Sequence, residues 1–526
     1  MAVRSIGVAV VVCLVMASRA CGGDARADDA AYEPPDFMTE VPPLPASADA
    51  RAVWRLDLAE ALRLAVHGNL GIAIERQSVQ IARLGVGIAR GAFEPVLAAS
   101  LAHGRADSPP TTAQEGSAGE ILSVVTDDWR LSLAQRLATG MQLDVDFTNG
   151  RVRSTAGTAI GLLTYRSQVA LTVTQPLLRG FSTDLVVPRI DVLRAELASE
   201  RERQQLAVAA VDVVERTEDA YWDVVQALYR YDLELRSRKR AEDQLALTHR
   251  QIDAGLMPPS DLISAESTLA QRVLQVLQAE QAIEDASDRL RAILALPREQ
   301  WARPILPTDM PRFAAEAHRP EDMLAVALKN RPELAQLDLD LQAQALAVRK
   351  ADNDQLPQID VGVSATLVGQ GGLYRDALDE IGRTDAPGYS VMLNMTWTPL
   401  RRATAAAAEL ERARQRIAQV RREQTVQDVW LAVRDAVRTQ QSAAQQVTAA
   451  ARFRDLSTRS LDAEQRKFLN GTSSNFVVAQ RQEELASAQL AELTAVLGHK
   501  KATAALLRAT GRLLEERRIE LEVRRP

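Results

Sequence analysis

Apolar and polar residues recur along this chain with two different periods. The shorter period appears in six segments. Residues 96–105 favour alternation over helix. In 129–137 Trp129, Leu131, Leu133 and Leu137 face one way and Arg130, Ser132 and Arg136 the other. In 141–149 Met141, Leu143, Val145 and Phe147 oppose Gln142, Asp144, Asp146 and Thr148. In 165–175 Tyr165, Val169, Leu171 and Val173 oppose Arg166, Gln168, Thr172 and Thr174. In 358–368 Ile359, Val361 and Val363 oppose Asp360, Gly362 and Ser364, and in 389–397 Tyr389, Val391, Leu393 and Met395 oppose Ser390, Asn394 and Thr396. A period of two residues is that of a strand. Runs of about 9–11 residues are what a tilted strand needs to cross a bilayer.

Helical periodicity fills the remainder. Residues 57–92 read as one helix, with Asp57 as N-cap, Glu60 at the capping-box position and Leu58, Ala61, Leu62 and Ala65 on one face. From Ile190 to Ala254 there is neither Pro nor Gly, which predicts a helix roughly 97 Å long. Coiled coils and helical tubes use such lengths; globular cores do not. Gly255 and Pro258-Pro259 end it, and Ser260–Leu296 is the next helix. Five prolines make 297–320 a linker. Helices follow at 321–354, 402–470 and 476–514, separated by a glycine-bearing loop at 369–388 and a break at Gly471. Laid end to end, the helices 260–296 and 321–354 would reach roughly 107 Å, close to the long helix beside them.

The same order of elements therefore occurs twice. Leu62, Ala65 and Pro95 correspond to Leu324, Ala327 and Pro357 at one common offset. Gln175-Pro176-Leu177 corresponds to Thr398-Pro399-Leu400 at a shorter one, and Gly255 and Leu269 to Gly471 and Leu485. The shortening locates an insertion between Pro95 and Pro176, where 129–137 and 141–149 lie. Self-similarity at a fixed spacing reads as an internal duplication. The expected organisation is 1–27 signal peptide, 28–55 Pro-rich segment, 56–296 first repeat, 297–320 linker, 321–514 second repeat and 515–526 charged tail.

The N-terminus reads as an export signal, with Arg4 ahead of the apolar run Ile6–Ala17. Cleavage after Ala25-Arg26-Ala27 is one reading; a degenerate lipobox, Ser18-Arg19-Ala20-Cys21, with Cys21 lipidated, is the other. The acidic, Pro-rich stretch 28–50 reads as a flexible lead-in. The only two cysteines, Cys13 and Cys21, lie in the first segment, so under plain cleavage no disulfide is expected. A net charge of −6 gives no basic footprint for nucleic acid. The five histidines are scattered without metal-ligand spacing, and no nucleophile–base set, phosphate loop or carboxylate pair is apparent, so neither enzyme, metal nor cofactor is expected. Gly85, Gly87 and Gly91 sit inside a predicted helix, where close helix packing is the expected use. Asp261 reads as an N-cap or, with the neighbouring turn, as part of a docking tip.

Two copies of helix, strands, long helix and helix behind an export signal resemble the outer membrane efflux protein family, the TolC-like channels. The motifs are Ala65-x3-Asn69, Ala327-x4-Pro332, the strand-opening Pro95 and Pro357, Gln175-Pro-Leu-Leu-Arg-Gly180, and the Gly255 and Gly471 breaks. The resemblance implies a mainly α protein with a membrane β-barrel, a homotrimer with internal duplication and long coiled-coil helices. It implies localisation to the bacterial outer membrane with a periplasmic helical extension. Its partners would be outer-membrane lipid, a periplasmic adaptor (membrane fusion) protein and an inner-membrane transporter. Gly255, Leu256, Asp261, Gly471, Thr472, Val477 and Gln480 would form the adaptor-docking tips. Val477 and Gln480 stand where family members carry carboxylates. Trp129, Tyr165, Tyr389 and Trp397, read as strand-end residues, would be interfacial aromatics. The implied function is a passive exit duct of a tripartite efflux or type I secretion system. A periplasmic adaptor or coiled-coil scaffold that does not span the membrane is the rival.

Strand count stays open. To bring its chain back to the starting side, the first repeat must cross an even number of times. Four crossings would give about 18 strands in a trimer, two about 12; the apolar face and full membrane length of 129–137 and 141–149 favour four.

Overall fold

A computed structural model describes residues 53–109, 121–154, 163–254, 258–314, 316–384, 386–470 and 472–521, together with Tyr32, Pro34, Pro35, Met38 and 42–45. In chain order its main elements are β1 (Trp54–Leu56), α1 (Leu58–Gly68), α2 (Leu70–Gly91), β2 (Val96–Ser108), β3 (Leu122–Arg136), β4 (Gln142–Ser154), β5 (Leu163–Pro176), α3 (Ile190–Asp253), α4 (Ser260–Leu294) and β6 (Ile305–Pro307). Then come α5 (Pro320–Asn330), α6 (Pro332–Asn353), β7 (Gln358–Gly371), α7 (Tyr374–Arg383), β8 (Pro387–Thr396), α8 (Arg402–Leu469), α9 (Asn475–Ala509) and α10 (Leu513–Glu516). None of the described helices is long and apolar enough to cross a membrane.

The two long helices are 64 and 68 residues, uninterrupted because neither contains Gly or Pro. The shorter helices match in pairs: α1 and α5 have 11 residues each, α2 and α6 have 22, α4 and α9 have 35. The expected single helix 57–92 is in fact two. Asn69 breaks it, its side chain accepting hydrogen bonds from the Gly71 and Ile72 amides as the cap of α2. Its amide group also donates to Ile293 O at 2.9 Å. Gly68 lies so close to Leu294 O that a Cβ would stand 2.8 Å from it. Helix 321–354 breaks likewise at Arg331, ahead of Pro332, which has no N–H to continue α5. Gly511, at φ +72°, nests against Asn330 and Arg331. So α4 meets the start of α2, and α9 the start of α6, correcting the expectation that 260–296 stacks on 321–354.

Six strands form one antiparallel sheet in the order β2-β3-β4-β5-β7-β8; β1 and β6 form a separate parallel pair. All six alternating segments are strands, and β3 begins seven residues earlier than the alternation suggested. The expected loop 369–388 contains α7, an amphipathic helix lying over β5 and β7. At the opposite end of the sheet, the turn around Gly140 (φ +84°) rests on Gly180 and Pro188. Asn353, at the end of α6, gathers the 178–181 turn: its Oδ1 accepts from Gly180 N, and its Nδ2 donates to Leu178 O and Phe181 O.

The main core lies midway along the helices. Tyr221, Trp222, Leu228 and Leu290 are buried there with Leu56, Ile305, Leu497 and Leu513. Tyr221 donates its hydroxyl hydrogen bond toward Asp309 Oδ2 (2.7 Å), which also accepts from Leu58 N and so caps α1. The Pro-rich lead-in contributes as well. Met38 is 1% exposed, and Pro35, Pro42 and Pro45 are buried. Where described, this stretch is packed, not the expected flexible leader, because its prolines and Met38 are apolar surface that the core can cover.

Candidate channel wall and tips

The register of the sheet sorts its residues into two faces. Leu97, Leu133, Val145, Leu171, Ala365 and Tyr389 stand in one row across all six strands. The next row on that face is Ala99, Leu131, Phe147, Val169 and Leu367. No described residue covers most of it: Leu101 and Tyr389 are each 88% exposed, and Val391, Leu393 and Met395 are exposed beside them. An apolar surface this continuous marks contact with lipid or protein. The opposite face carries Ser100, Asp144, Thr172, Thr174, Ser364 and Asn394. On it Arg130 pairs with Asp146 at 3.6 Å, and the Ser364 and Ser390 hydroxyls meet at 2.8 Å. A shallow concavity of about 470 Å³ on this face is lined by Asp128, Arg130, Thr148, Arg166 and Gln168.

Beyond the apolar rows, toward the strand ends away from the long helices, the first face turns polar. Asn149 and Ser167 are buried there, the Ser167 hydroxyl donating to Asn149 Oδ1 at 2.5 Å. Helix α7 covers them. Its Ala377 sits on Gly369, where a Cβ would stand 1.9 Å from the Ala377 carbonyl, so only glycine allows this approach. Trp129 packs edge-on against Phe147 and tilted against Tyr374. Trp129 thus lies in the middle of β3, contrary to the strand-end reading, because the strand runs on past the alternating segment. Tyr165 is near the start of β5, Tyr389 near the start of β8, and Trp397 just beyond β8.

The helices form a layer continuous with the sheet. Near the strands the neighbours run α2, α3, α6, α8; further away they run α4, α3, α9, α8. Both outer edges are apolar and uncovered. On α2 Leu70, Ile74, Ile81, Leu84 and Ile88 are exposed, and on α8 Leu410, Ile417, Val420 and Leu431. A Cβ on Gly85, Gly87 or Gly91 would meet no other described part of the chain within 4 Å, so the helix packing expected of them is not made among the described residues. Strands β2 and β8, which adjoin α2 and α8 in sequence, are likewise the two free edges of the sheet.

Midway along the layer lies a belt of buried charge. Arg517 clasps Glu218 with two hydrogen bonds, of 2.6 and 3.0 Å. Burial raises the Glu218 carboxyl above the usual range while Arg517 opposes the rise. Glu492 is also raised by burial, against the pull of Arg454, which bonds it at 3.0 Å. Burial and Lys500 lower the nearby His499. Among the described residues no group of three or more His, Cys, Asp or Glu side chains could hold a metal ion.

The far ends of the helices hold the sequence-predicted tips. Gly255, Leu256 and Gly471 lie outside the described residues. Asp261 sits in the first turn of α4 but does not cap it: the N-cap is Pro259, with no side-chain bond. Thr472 donates from both N–H and Oγ1 to Lys467 O, at 2.9 and 3.0 Å. The Ser473 hydroxyl, with Lys467, holds Glu464 below the usual carboxylate range. Val477 is half-buried and Gln480 exposed. Gln480 lines a groove of about 1100 Å³ between the starts of α4 and α9, with Ile263, Thr268 and Phe476. Reading the tip from Val477 and Gln480 missed the charge actually beside the groove: buried Arg272 on α4, ion-paired with Glu483 on α9. Only the structure brings these two together; no local spacing signals it.

Residues 323–512 match the family model described as outer membrane efflux protein. That segment, a little over a third of the chain, is similar to the family. Solved outer-membrane proteins share the chain's fold. The outer-membrane channel OprN superposes with a TM-score of 0.63 at 18% identity, covering 93% of this chain and 98% of that one. The Campylobacter jejuni CmeC outer membrane channel gives 0.62 at 13%, covering 87% and 86%. The Vibrio cholerae outer membrane protein VceC gives 0.61 at 14%, covering 86% and 96%. A search of curated proteins finds no match. The family match lies in the second half of the chain, whereas the likeness of fold to these outer-membrane proteins extends through both halves.

Proposed function

We propose that three copies of this chain close into a passive exit duct. The sheet crosses the outer membrane and the helices form a tube through the periplasm. One observation carries the reading. Among the described residues every layer of the protomer ends in two uncovered edges, aligned from layer to layer: β2, α2 and then α4 on one side, β8 and α8 on the other. Such a stave cannot cover its own edges; joining the first edge of one copy to the second edge of the next makes a closed ring. Closure removes the free strand edges and satisfies their backbone groups, as lipid demands. The exposed apolar face then meets lipid and the Ser/Thr/Asp-bearing face lines water.

The paired helix lengths and the matching breaks at Asn69 and Arg331 support an internal duplication. The tips, with Gly255, Leu256, Asp261, Gly471, Thr472, Val477, Gln480 and the groove beside them, would receive a periplasmic adaptor protein. An inner-membrane transporter would supply the energy. A soluble scaffold leaves an apolar sheet face of this extent unexplained.

Cross-linking tests the ring. Ile88 on α2 and Leu410 on α8 lie at similar depth below the strands. A chain with Ile88→Cys and Leu410→Cys should give dimers and trimers on oxidation in cell envelopes. Each single variant should remain monomeric in denaturing gels. Absence of cross-links, together with release of the protein by a salt wash, would refute the duct.

A further inference from the structure

We infer that the outer-membrane section of this duct is an eighteen-stranded barrel, wide enough that it does not sieve the cargo. The inference rests on the trimeric reading above. Six strands pair continuously within one protomer, so three copies supply eighteen. The β3–β4 hairpin is an integral part of the sheet: β3 is paired along its length on both sides, to β2 and β4.

The apolar pattern measures the strand tilt. A lipid belt runs level around a barrel, so on tilted strands its centre must step along from strand to strand. Relative to the row through Leu133, Val145 and Leu171, the apolar run on β2 centres on Ala99, two residues above. On β8 it centres between Val391 and Leu393, about three residues below Tyr389 in that row. The drift is about five residues over five strand-to-strand steps, or about one per strand. With about 3.4 Å per residue and about 4.8 Å between strands, the tilt is about 35°, within the usual range for membrane barrels.

Tilt and strand number fix the width. Eighteen strands at about 35° close a cylinder about 34 Å across, twelve only about 22 Å. The helical tube offers an independent gauge. Four helices stand abreast in each protomer. Twelve helices spaced about 8–10 Å apart make a ring about 31–38 Å across. The eighteen-stranded barrel continues that wall without a step. Twelve strands would match it only at a tilt near 57°, with a drift of about two residues per strand, twice what the sequence of the sheet carries. Allowing about 5 Å of side chain on each wall, the clear bore is about 24 Å. The face toward it is small and polar, with Ser100, Ser132, Thr172 and Ser364, and it mixes Arg130 and Arg166 with Asp144 and Asp146. Helix α7 lies on the other face, so it does not narrow the bore. Hydrophilic cargo of either charge, up to about 20 Å across, would pass the membrane section, and selection would fall to the periplasmic tips.

Electron cryomicroscopy of the detergent-solubilised full-length oligomer tests this. Eighteen density rungs in a section across the barrel are expected; twelve would overturn the inference while leaving the duct intact. Neutral polyethylene glycols added from the strand-loop side of channels in planar bilayers give a second measure. Polymers about 20 Å across should enter and alter conductance. Exclusion of everything above about 12 Å would overturn the wide barrel. A protein that stays monomeric and forms no pore would instead refute the duct reading, and this inference with it.

Discussion

Replacing Val145 with arginine puts the assignment of the two sheet faces to a quantitative test. Val145 sits in the row with Leu133 and Leu171, between the rows of Leu143 and Phe147 on its own strand. Charged side chains reappear on this face of β4 only at Arg151, six residues or about 20 Å along the strand. A guanidinium at 145 therefore starts near the middle of the apolar belt. A charge there costs about 2–4 kcal/mol on a barrel's lipid face. In the proposed trimer one copy enters each of three protomers, so the ring would bear about 6–12 kcal/mol if all three insert together. Even the lower figure is comparable to the whole stability of a marginal domain, about 5–15 kcal/mol. Asp144, one residue earlier, points to the other face, opposite Ala134 and Thr172. Arginine there would be solvated and could pair with Asp146. The assay is the yield of heat-dissociable oligomer in purified outer membranes, with total protein measured in parallel. Val145→Arg should reduce it at least tenfold and Asp144→Arg by less than twofold. Equal yields, or the reverse order, would refute the faces and with them the lipid-facing sheet.

Arg517→Ala strands the Glu218 carboxylate in the core and should cost about 3–5 kcal/mol, read as a lower dissociation temperature of the oligomer, whereas Glu218→Gln with Arg517→Ala should recover part of it. Gly369→Val should lift α7 from the sheet and expose the chain near Arg383 to trypsin, with the oligomer retained. Gly255→Val or Gly471→Val should leave assembly unchanged and abolish transport in a cargo-export assay, because helix-ending glycines commonly adopt φ > 0, which β-branched residues tolerate poorly. Tyr32 packs beside Phe313 and Glu492, level with Arg454, about 78 Å down α8 from Arg402. The eleven residues from Cys21 to Tyr32 reach at most about 40 Å. A lipid on Cys21 could not then sit in the membrane the sheet crosses, so Cys21→Ser should leave fractionation unchanged, and mass spectrometry should find no acylated Cys21 peptide.

The strands and long helices were legible because one repeats every two residues and the other lacks Gly and Pro for sixty residues or more. What the sequence concealed has physical causes. Asn69 ends one helix and caps the next within a stretch whose apolar spacing hardly changes, so periodicity alone runs straight through it. Helix α7 is ten residues inside a Gly-bearing stretch, held by a contact with Gly369 that only tertiary structure supplies. Residues Leu122–Asp128 of β3 depart from clean alternation because both their faces are polar or partly covered, which moved Trp129 from an apparent strand end to mid-strand. Ile74, Ile81 and Ile88 form an apolar stripe inside 57–92, a stretch that reads as helix. Periodicity cannot tell whether such a stripe meets its own chain or another copy, and here its own chain leaves it bare. At the tips, Val477 and Gln480 were readable by position, but the Arg272–Glu483 pair joins residues 211 apart.

The main helix core joins Met38, Tyr221 and Leu513 in one cluster, and the partner of buried Glu218 is Arg517, 299 residues further on. This dictates an order of events in folding. The long hairpins can form early, since their contacts are local, but the cluster that binds both ends of the chain cannot close until the last residues have emerged from export. Until then Glu218 and the apolar side of α3 stay open to solvent, and to periplasmic chaperones. The clasp at Arg517 thus acts as a completeness check. A chain truncated before it would keep its helices and strands yet lack the seal on its core, leaving it a substrate for proteolysis before it could join a ring.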